Sequence, residues 1–424
     1  MRTVVIASPV ATQSGYGHHA REFITNAMEL MSEEWDIKLV SMPWGNTPFT
    51  YPLPIHWQQA MIGLPLKEQP DVWVQITVPN EFQPVGKYNI GVTAGTEGDT
   101  CPKEWIESIN RMNTVVVPSE FTKQVFEDTA KQHGLTITCK LQVVSEYFRK
   151  SVYSTETESA QNPAQILPSL NDIPESWCFL SVGHWLSGVL GEDRKNISGL
   201  LYTFFDAYKN KKNAPALILK TSGATYSVSD RFDIENKINQ VQDLFESHRL
   251  PNVYIVHGDL TDTEMNALYN HPKVKAMLSF TKAEGFGRPL LEFSTTGKPI
   301  IAPHYSGQKD FLHEDYVCRL AGGLTPIHKT AQNQFLIDGA KWFTVNPKHA
   351  IKMMKDVQKN YKKWLELGKR QRYYVNQNFE KQHVQETQYK ALFETIAKDL
   401  QAIPQQMELK LPKLNLPKLQ KVGE

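Results

Sequence analysis

Cysteine is scarce in this sequence, and its few copies lie far apart. The 424 residues contain four cysteines, and no two of them form a CxxC pair. This spacing argues against a zinc site built on cysteine pairs and provides no framework of disulfides. We therefore expect the protein to work in a reducing compartment, the cytoplasm.

Long apolar runs and a strong charge of either sign are also missing. No segment holds 18 consecutive apolar residues, so we expect no transmembrane span. The opening residues, MRTVVIASPV, enter a strand pattern at once and show no secretory signal. The formal net charge of +1 provides no global field toward nucleic acid or anionic membrane. What is present is the composition of a globular protein long enough for two domains.

The most informative stretch runs from Ser279 to Phe311. Ala276 to Leu278 predict a short buried strand just before it, and the pattern becomes helical from Pro289. Between them stands the turn Glu284-Gly285-Phe286-Gly287. Two glycines before a helix let the backbone approach a ligand closely, and the free amides at the helix start favour an anion. The pattern therefore predicts a site for an anion such as a diphosphate.

Two carboxylates flank this turn. Glu284 lies at the end of the strand, where ligands of open α/β sheets bind, and Glu292 lies about one turn into the helix. Ionised carboxylates only accept hydrogen bonds, so the pair suits a ligand rich in hydroxyl groups. A nucleotide sugar combines hydroxyls with a diphosphate. The alternative is that Glu284 caps the helix and Glu292 is a solvated helix residue.

The segment Glu284-Gly-Phe-Gly-Arg-Pro-Leu-Leu-Glu292, followed by Gly297-Lys-Pro299, resembles the E-x7-E signature of retaining GT-B glycosyltransferases, especially those of family 4. The resemblance implies that Glu284 contacts the donor sugar and that Glu292 holds the ribose. It also implies that Gly285, Phe286 and Gly287 meet the sugar and phosphates through their amides. Arg288, inside the same signature, is assigned to donor binding.

The resemblance covers most of the chain and implies an α/β protein with the GT-B fold, in which two Rossmann-like domains face a central cleft. Residues 1–150 would form the acceptor-side domain and residues 176–380 the donor-side domain. Residues 381–403 would cross back onto the first domain, mainly through Val384 to Ile396. The polar, proline-containing stretch 151–175 predicts an exposed linker or flap. The tail 404–424, rich in Lys, Leu and Pro, is either disordered or docked by its leucines.

Two further regions have patterns of their own. Val317 to Thr344 show no clear periodicity and predict loops and short pieces, whereas Pro347 to Leu400 predict helices. Near the start, a strand at Thr3 to Ala7 is followed by a loop with Gly15 and Gly17. These glycines do not fit GxGxxG, so a dinucleotide fingerprint is not supported.

The resemblance implies that Gly15 and Gly17 shape the donor side of the cleft, although a simple tight turn would also explain them. His18 is a candidate on the acceptor side. Glu97 and Asp99 follow the predicted strand Tyr88 to Thr93. They are candidates for contacts with acceptor hydroxyls, or else caps of the next helix. The histidine usual in the family is not evident on this strand.

Cations for the diphosphate come from the second domain. The resemblance assigns Lys195 to the diphosphate and expects an arginine where His184 stands, so His184 is a donor-side candidate. Arg194 is the candidate for the missing positive charge, with a solvated charge pair as the alternative for Arg194 and Lys195. Lys220 ends a predicted strand, Ala216 to Lys220, that faces the same crevice.

The predicted reaction is transfer of a hexose from a UDP- or GDP-linked donor to a hydroxyl, with retention at the anomeric carbon. Glu284, Lys195 and Arg194 would form the catalytic group, and no cofactor or metal is expected. The acceptor is a glycan or another hydroxyl compound, including a hydroxymethylated base of DNA as in viral enzymes. A sugar-nucleotide epimerase and a non-catalytic sugar-nucleotide binding protein are the other hypotheses. The oligomeric state is left open.

Overall fold

The computed structural model of the protein describes residues 1–45, 47–223 and 225–402. Its strands are β1 (Arg2–Ser8), β2 (Trp35–Ser41), β3 (Val72–Ile76), β4 (Tyr88–Val92), β5 (Thr114–Val117), β6 (Lys140–Val143), β7 (Cys178–Val182), β8 (Ala216–Lys220), β9 (Val253–Val256), β10 (Val274–Leu278), β11 (Ile300–Pro303), β12 (Cys318–Leu320), β13 (Gly322–Pro326) and β14 (Lys341–Val345). The tail 404–424 lies outside the described residues.

The α-helices are α1 (Gly15–Met31), α2 (Ile55–Gln59), α3 (Lys103–Ile109), α4 (Glu120–Gln132), α5 (Glu158–Gln161), α6 (Pro163–Ile166), α7 (Ile197–Tyr208), α8 (Val228–Asp243), α9 (Asp262–Asn270), α10 (Arg288–Ser294), α11 (Pro347–Lys359), α12 (Tyr361–Asn378), α13 (Lys381–Val384) and α14 (Lys390–Ala402). A π-helical turn, Gln385–Tyr389, joins the last two. The strands predicted at Thr3 to Ala7, Tyr88 to Thr93, Ala216 to Lys220 and Ala276 to Leu278 are present as β1, β4, β8 and β10. A capping box of Thr261 and Glu264 begins α9.

Two six-stranded parallel sheets form the centre of the molecule. The order of the first is β2-β1-β3-β4-β5-β6, and that of the second is β12-β11-β10-β7-β8-β9. Their strands are short, apolar and rich in β-branched residues, as parallel strands covered on both faces must be. We call the parts of the chain around these sheets the N-terminal half and the C-terminal half. The domain boundaries expected from the sequence stay predictions.

The strand order places a crevice in each sheet. In the first sheet, β2 lies on one side of β1 and the later strands lie on the other side. In the second sheet, β8 and β9 lie on one side of β7, and β10 to β12 lie on the other. The strand order therefore reverses at β1 and at β7. Ligands of open parallel sheets bind outside the carboxyl ends of the strands at such a point. The loops that leave β1, β7 and β10 therefore carry the residues best placed for a shared site.

The C-terminal residues complete the core of the N-terminal half. Val384, Tyr389, Leu392, Phe393 and Ile396 are buried in one cluster with apolar side chains of β1 and α1. The Phe23 ring meets the rings of Tyr389 and Phe393 edge to face. The predicted crossing of the final helices back onto the N-terminal half is therefore confirmed.

The stretch 151–175 is not an exposed linker. It folds into α5, α6 and a 3-10 turn, and Tyr153, Leu170 and Ile173 lie in the core of the C-terminal half. The Asn266 amide of α9 donates to the Ser154 carbonyl at 3.2 Å and to the Thr157 hydroxyl at 2.8 Å. Widely spaced apolar residues and a buried amide thus help to hold this polar segment in place.

The stretch 317–344 contains loops and the short strands β12, β13 and most of β14, in agreement with the predicted loops and short pieces. β13 and β14 pair antiparallel and, with the loop between them, form what we call the strap, residues 322–345. The strap packs on the N-terminal half, where the Thr96 hydroxyl donates to the Phe335 carbonyl at 3.0 Å. Glycine and proline in β13 hide the alternation that would identify a strand.

Two further observations concern the described residues as a whole. No helix among them is both long enough and apolar enough to cross a membrane. All four cysteines are buried and free.

Leu392 offers a test of the crossing helix. It is fully buried in the core of the N-terminal half, so Leu392→Ala should lower the free energy of unfolding by about 2–5 kcal/mol. Urea denaturation followed by circular dichroism would measure the change. Glu394→Ala, on the exposed face of the same helix, is the matched control and should shift the value by less than about 0.5 kcal/mol. Equal effects of the two variants would contradict the packing.

Candidate functional site

A cavity of about 350 Å³ lies between the two halves, at the carboxyl ends of both sheets. We call it the cleft cavity. Residues of both halves line it. The predicted site residues among them are Gly15, His18, Glu97, His184, Arg194, Lys195, Lys220, Glu284, Gly285, Phe286, Gly287, Arg288 and Glu292. Of the residues predicted from the sequence, Gly17 and Asp99 do not line it.

The Glu284 carboxylate is the centre of a charged cluster. The Lys195 ammonium group donates to one of its oxygens at 2.5 Å, and the Arg194 guanidinium donates to the other at 3.2 Å. The Thr281 hydroxyl donates to the same oxygen as Lys195. Burial by itself raises the pKa of Glu284, but Lys195 and Arg194 outweigh burial and hold that pKa below its ordinary value. The cluster therefore presents an ionised carboxylate and two cations on one wall of the cleft cavity.

The loop before α7 positions the two cations. The Asp193 carboxylate accepts hydrogen bonds from the Ile197 amide and the Ser198 hydroxyl, both at 3.0 Å. Asn196 follows in a left-handed conformation, with φ of 51°. The Lys282 amide donates to the Arg194 carbonyl at 2.9 Å, which ties this loop to the one that leaves β10. Lys195 and Glu284 thus meet because two loops at the crevice are joined.

The glycine turn lies against the N-terminal half. A Cβ atom on Gly285 would stand 2.6 Å from the Ala94 carbonyl oxygen, so only glycine fits there. The Ser119 hydroxyl donates to the Gly285 carbonyl at 2.6 Å. Gly287 precedes α10 with φ of 105°, a conformation that other residues seldom adopt. The Phe286 side chain packs in the core beside Phe311, so this residue reaches the cavity mainly as backbone.

Glu292 is buried, with 5% of its surface exposed. The Tyr269 hydroxyl donates to its carboxylate at 3.0 Å. Burial raises the pKa of Glu292 to about 8, against the opposing effect of Arg288. The carboxyl therefore takes up a proton readily when the cleft holds no ligand.

The Arg288 side chain joins the two halves. Its guanidinium pairs with Glu22 of α1 at 2.8 Å and with Glu146, which follows β6, at 2.7 Å. It also donates to the Tyr147 carbonyl at 3.2 Å. The sequence assigns Arg288 to the donor, but its charge is balanced by two carboxylates of the N-terminal half that lie far away in the sequence. Its donor role stays a prediction, and its visible role is to hold the halves together.

His184 and Lys220 lie on the same side of the cleft as Lys195. His184 stands where the resemblance expects an arginine, and its Nδ1 lies 3.0 Å from the Ser222 hydroxyl. Burial within the cleft, with Lys195 nearby, lowers the pKa of His184 to about 4. The ring is therefore neutral at pH 7 in the protein without ligand, and the donor role of His184 stays a prediction. Lys220 donates to the Gly258 carbonyl at 2.7 Å.

On the acceptor side, Glu97 and Asp99 separate. Glu97 lines the cavity, and its carboxylate lies 3.4 Å from the Arg194 guanidinium. Asp99 turns toward the strap, where its carboxylate accepts from the Lys341 amide at 2.6 Å. The Asp99 amide also donates to the Lys341 carbonyl at 2.8 Å. Asp99 therefore fixes β14 to the N-terminal half and does not cap the next helix, whose N-cap is Pro102. Its contact with the acceptor stays a prediction.

The loop after β1 leads into α1, and the first residues of this helix lie at the cleft. The Ser14 hydroxyl caps this helix by accepting from the Gly17 amide at 3.0 Å, and Gly15 lines the cavity. Gly17 lies inside the helix, where a Cβ atom would stand 2.3 Å from the Thr12 carbonyl oxygen. The packing against Thr12 therefore requires glycine at this position, and the donor role of Gly17 stays a prediction. Burial holds the pKa of His18 well below its ordinary value.

Sequence reasoning missed several residues of the site. Thr281 bonds to Glu284, Tyr269 bonds to Glu292, and the Ser306 hydroxyl accepts from the Glu284 amide at 2.9 Å. His19 lines the cavity beside His18. Common hydroxyl residues carry no spacing signal of their own, so only the fold identifies them. Among the described residues, no group of three or more His, Cys, Asp or Glu is arranged to hold a metal ion.

Comparisons with known proteins identify a sequence family for part of the chain and the fold of the whole. Residues 191–364 match the sequence profile of the family described as Glycosyl transferases group 1. This match includes Arg194, Lys195, Glu284 and Glu292 but covers less than half of the chain. A search of curated proteins finds no match.

Solved structures with the same arrangement have little sequence in common with this chain. HepE from Anabaena, in complex with UDP and glucose, is 12% identical, with a TM-score of 0.62 over 94% of this chain and 100% of that one. Sucrose-phosphate synthase from Thermosynechococcus elongatus is 12% identical, with a TM-score of 0.59 over 94% and 100%. An α,α-trehalose-phosphate synthase (UDP-forming) from Burkholderia vietnamiensis is 10% identical, with a TM-score of 0.60 over 95% and 98%. The chain therefore has the GT-B fold.

The raised pKa of Glu292 leads to a test on the protein without ligand. The pKa of Glu292 is about 8 in the folded state, and its ordinary value is 4.5. Between these two pH values, the folded state therefore keeps a proton on Glu292 that the unfolded state has released. The contribution of this proton to stability is therefore lost as the pH rises. Glu292→Gln should be more stable than the parent by roughly 2–5 kcal/mol above pH 8, and the difference should shrink toward pH 5.

Urea denaturation at pH 5, 7 and 9 would measure this difference. Glu394→Gln, on an exposed helix face, is the control for removing one carboxylate, and its effect should not change with pH. A constant difference between Glu292→Gln and the parent would rule out the raised pKa.

Proposed function

We propose that this protein is a retaining glycosyltransferase that moves a hexose from a nucleotide diphosphate sugar to a hydroxyl acceptor. The observation that carries the proposal is the Glu284 cluster. An ionised carboxylate lies beside two half-buried cations at a glycine turn, inside a segment that matches Glycosyl transferases group 1. The carboxylate suits sugar hydroxyls, and the cations suit a diphosphate.

The charge of the leaving group explains why both cations are needed. As the bond between the anomeric carbon and the β-phosphate oxygen breaks, its electron pair goes to the phosphate oxygen. Lys195 and Arg194 face this developing charge from fixed positions, and electrostatic stabilisation of that kind usually contributes most to the rate enhancement of an enzyme. Lys220 adds a third cation to the cavity wall.

The acceptor oxygen forms the new bond on the face that the diphosphate leaves, which gives retention. Its proton goes to the departing phosphate oxygen, so the atoms and charges balance without a protein nucleophile. Glu284 orients the sugar through its hydroxyls. Hydrolases that retain configuration by double displacement need a carboxylate on the opposite face of the sugar. We assign no residue to that role.

The donor base is proposed to be uracil, with guanine as the second candidate. Support comes from the solved structures of similar fold, since HepE was solved with UDP and glucose and the Burkholderia synthase is described as UDP-forming. We propose a cytoplasmic enzyme that needs no metal. Four buried free cysteines fit a reducing compartment.

The acceptor is proposed to be a hydroxyl of a sugar or of the end of a glycan. A hydroxymethylated base in DNA is the second candidate, because the formal net charge of +1 provides no global field toward DNA. It belongs in the acceptor screen.

Donor binding is the first test. One nucleotide sugar from a panel of UDP-, GDP-, ADP- and dTDP-linked donors should raise the melting temperature, because a ligand at a hundred times its Kd stabilises by about 2.7 kcal/mol. Lys195→Ala should abolish the shift and reduce turnover by roughly a hundredfold or more. Lys209→Ala, an exposed lysine at the end of the helix that Lys195 precedes, should preserve both. No shift with any donor would contradict the proposal.

A second test concerns the metal. Turnover of the donor identified above should be unchanged in EDTA, because the leaving charge is met by Lys195 and Arg194. Product analysis in the same assay separates the alternatives, since an epimerase alters the sugar without an acceptor and a binding protein forms no product. Loss of activity in EDTA that Mg²⁺ or Mn²⁺ restores would overturn the metal-free mechanism.

A further inference from the structure

His19 is a buried histidine that lacks a hydrogen-bond partner. It is the fifth residue of α1, it is 2% exposed, and it lines the cleft cavity. Neither ring nitrogen has a partner among the described residues. An unpaired buried polar group costs free energy, so its retention in a ligand cavity requires an explanation.

A second buried histidine shows what an ordinary structural role looks like. His271 is 1% exposed, and its Nδ1 accepts from the Lys273 amide at 3.4 Å, whereas its Nε2 has no partner among the described residues. It does not line the cleft cavity. His19 differs in both respects. Neither of its ring nitrogens has a hydrogen-bond partner among the described residues, and it lines the cleft cavity.

The charged groups nearest His19 cannot satisfy it. Glu146 and Arg288 face the ring from the loop after β6 and from α10, but they are paired with each other. Burial lowers the pKa of His19, and Arg288 adds to this effect against Glu146. The neutral ring offers one N–H donor and one acceptor nitrogen.

The start of α1 indicates what the ring would bind. The first amides of a helix have no acceptor within it, and the helix dipole favours an anion there. Ser14 takes up the Gly17 amide, which leaves the amides of Gly15 and Tyr16 nearest the cavity. His19 is four residues after Gly15, and residues at this spacing lie on the same side of a helix. The ring and the first amides therefore face one region.

We propose that His19 donates a ring N–H hydrogen bond to the diphosphate of the donor, from the N-terminal half and opposite Lys195. The proposal rests on the proposed function, because it assumes a nucleoside diphosphate in the cleft. A sugar hydroxyl is a poorer match for His19. The carboxylate proposed to bind the sugar hydroxyls, Glu284, lies on the wall of the cleft cavity that the C-terminal half forms. His19 thereby makes the diphosphate a ligand of both halves.

Calorimetric titration with UDP, UMP and uridine, and with GDP and GMP in parallel, would test this contact. The variants are His19→Leu, which removes both nitrogens at similar volume, and His19→Gln, which keeps an N–H donor. His19→Leu should weaken binding of the nucleoside diphosphate by roughly ten- to a hundredfold and weaken the monophosphate much less. His19→Gln should recover part of the loss, and His271→Asn should bind as the parent does.

Thermal unfolding without ligand provides the control for folding. His19→Leu should melt at the same temperature as the parent or higher, because it removes an unpaired polar group. A lower melting temperature with unchanged diphosphate affinity would assign His19 to structure and overturn the proposal. Equal weakening of diphosphate and monophosphate would also overturn it. If the parent binds no nucleoside diphosphate at all, the proposed function itself fails.

Discussion

The Glu284 carboxylate stays ionised inside the cleft because Lys195 and Arg194 lie beside it. A buried charge without a partner would take up or lose a proton instead. The three side chains come from two loops, and the Lys282 amide joins these loops by bonding to the Arg194 carbonyl. Everything else at the site depends on this arrangement. The glycine turn follows Glu284 directly. The Arg194 guanidinium also pairs with the Glu97 carboxylate of the N-terminal half.

The same electrostatics explain why Glu284 and Glu292 behave differently although one signature contains both. Glu284 has two cations in contact, so its charge survives burial. Glu292 has a tyrosine hydroxyl, and the nearest guanidinium, on Arg288, is already shared by Glu22 and Glu146. Two carboxylates eight residues apart thus differ in protonation because of partners elsewhere in the chain.

The fold was largely predictable, because short apolar strands alternate with amphipathic helices and each carries its own local signal. The glycine turn and its two glutamates were predictable for the same reason. The strap was not, since glycine and proline obscure its strand pattern. Neither were the contacts of Arg288 or Asp99, because their partners lie in other parts of the chain and composition gives no sign of them. His19 was missed because a histidine in a helix looks ordinary until its surroundings are known.

The crossing of the last helices onto the N-terminal half has a consequence for synthesis on the ribosome. The core around β1 and α1 includes Tyr389, Leu392 and Ile396, so this half exposes apolar surface until residues of α14 have emerged. The C-terminal half builds its sheet from β7 to β12, and all of these strands are synthesised before α14. The half made first is therefore the one completed last, and its unfinished surface is the natural target of chaperones during translation.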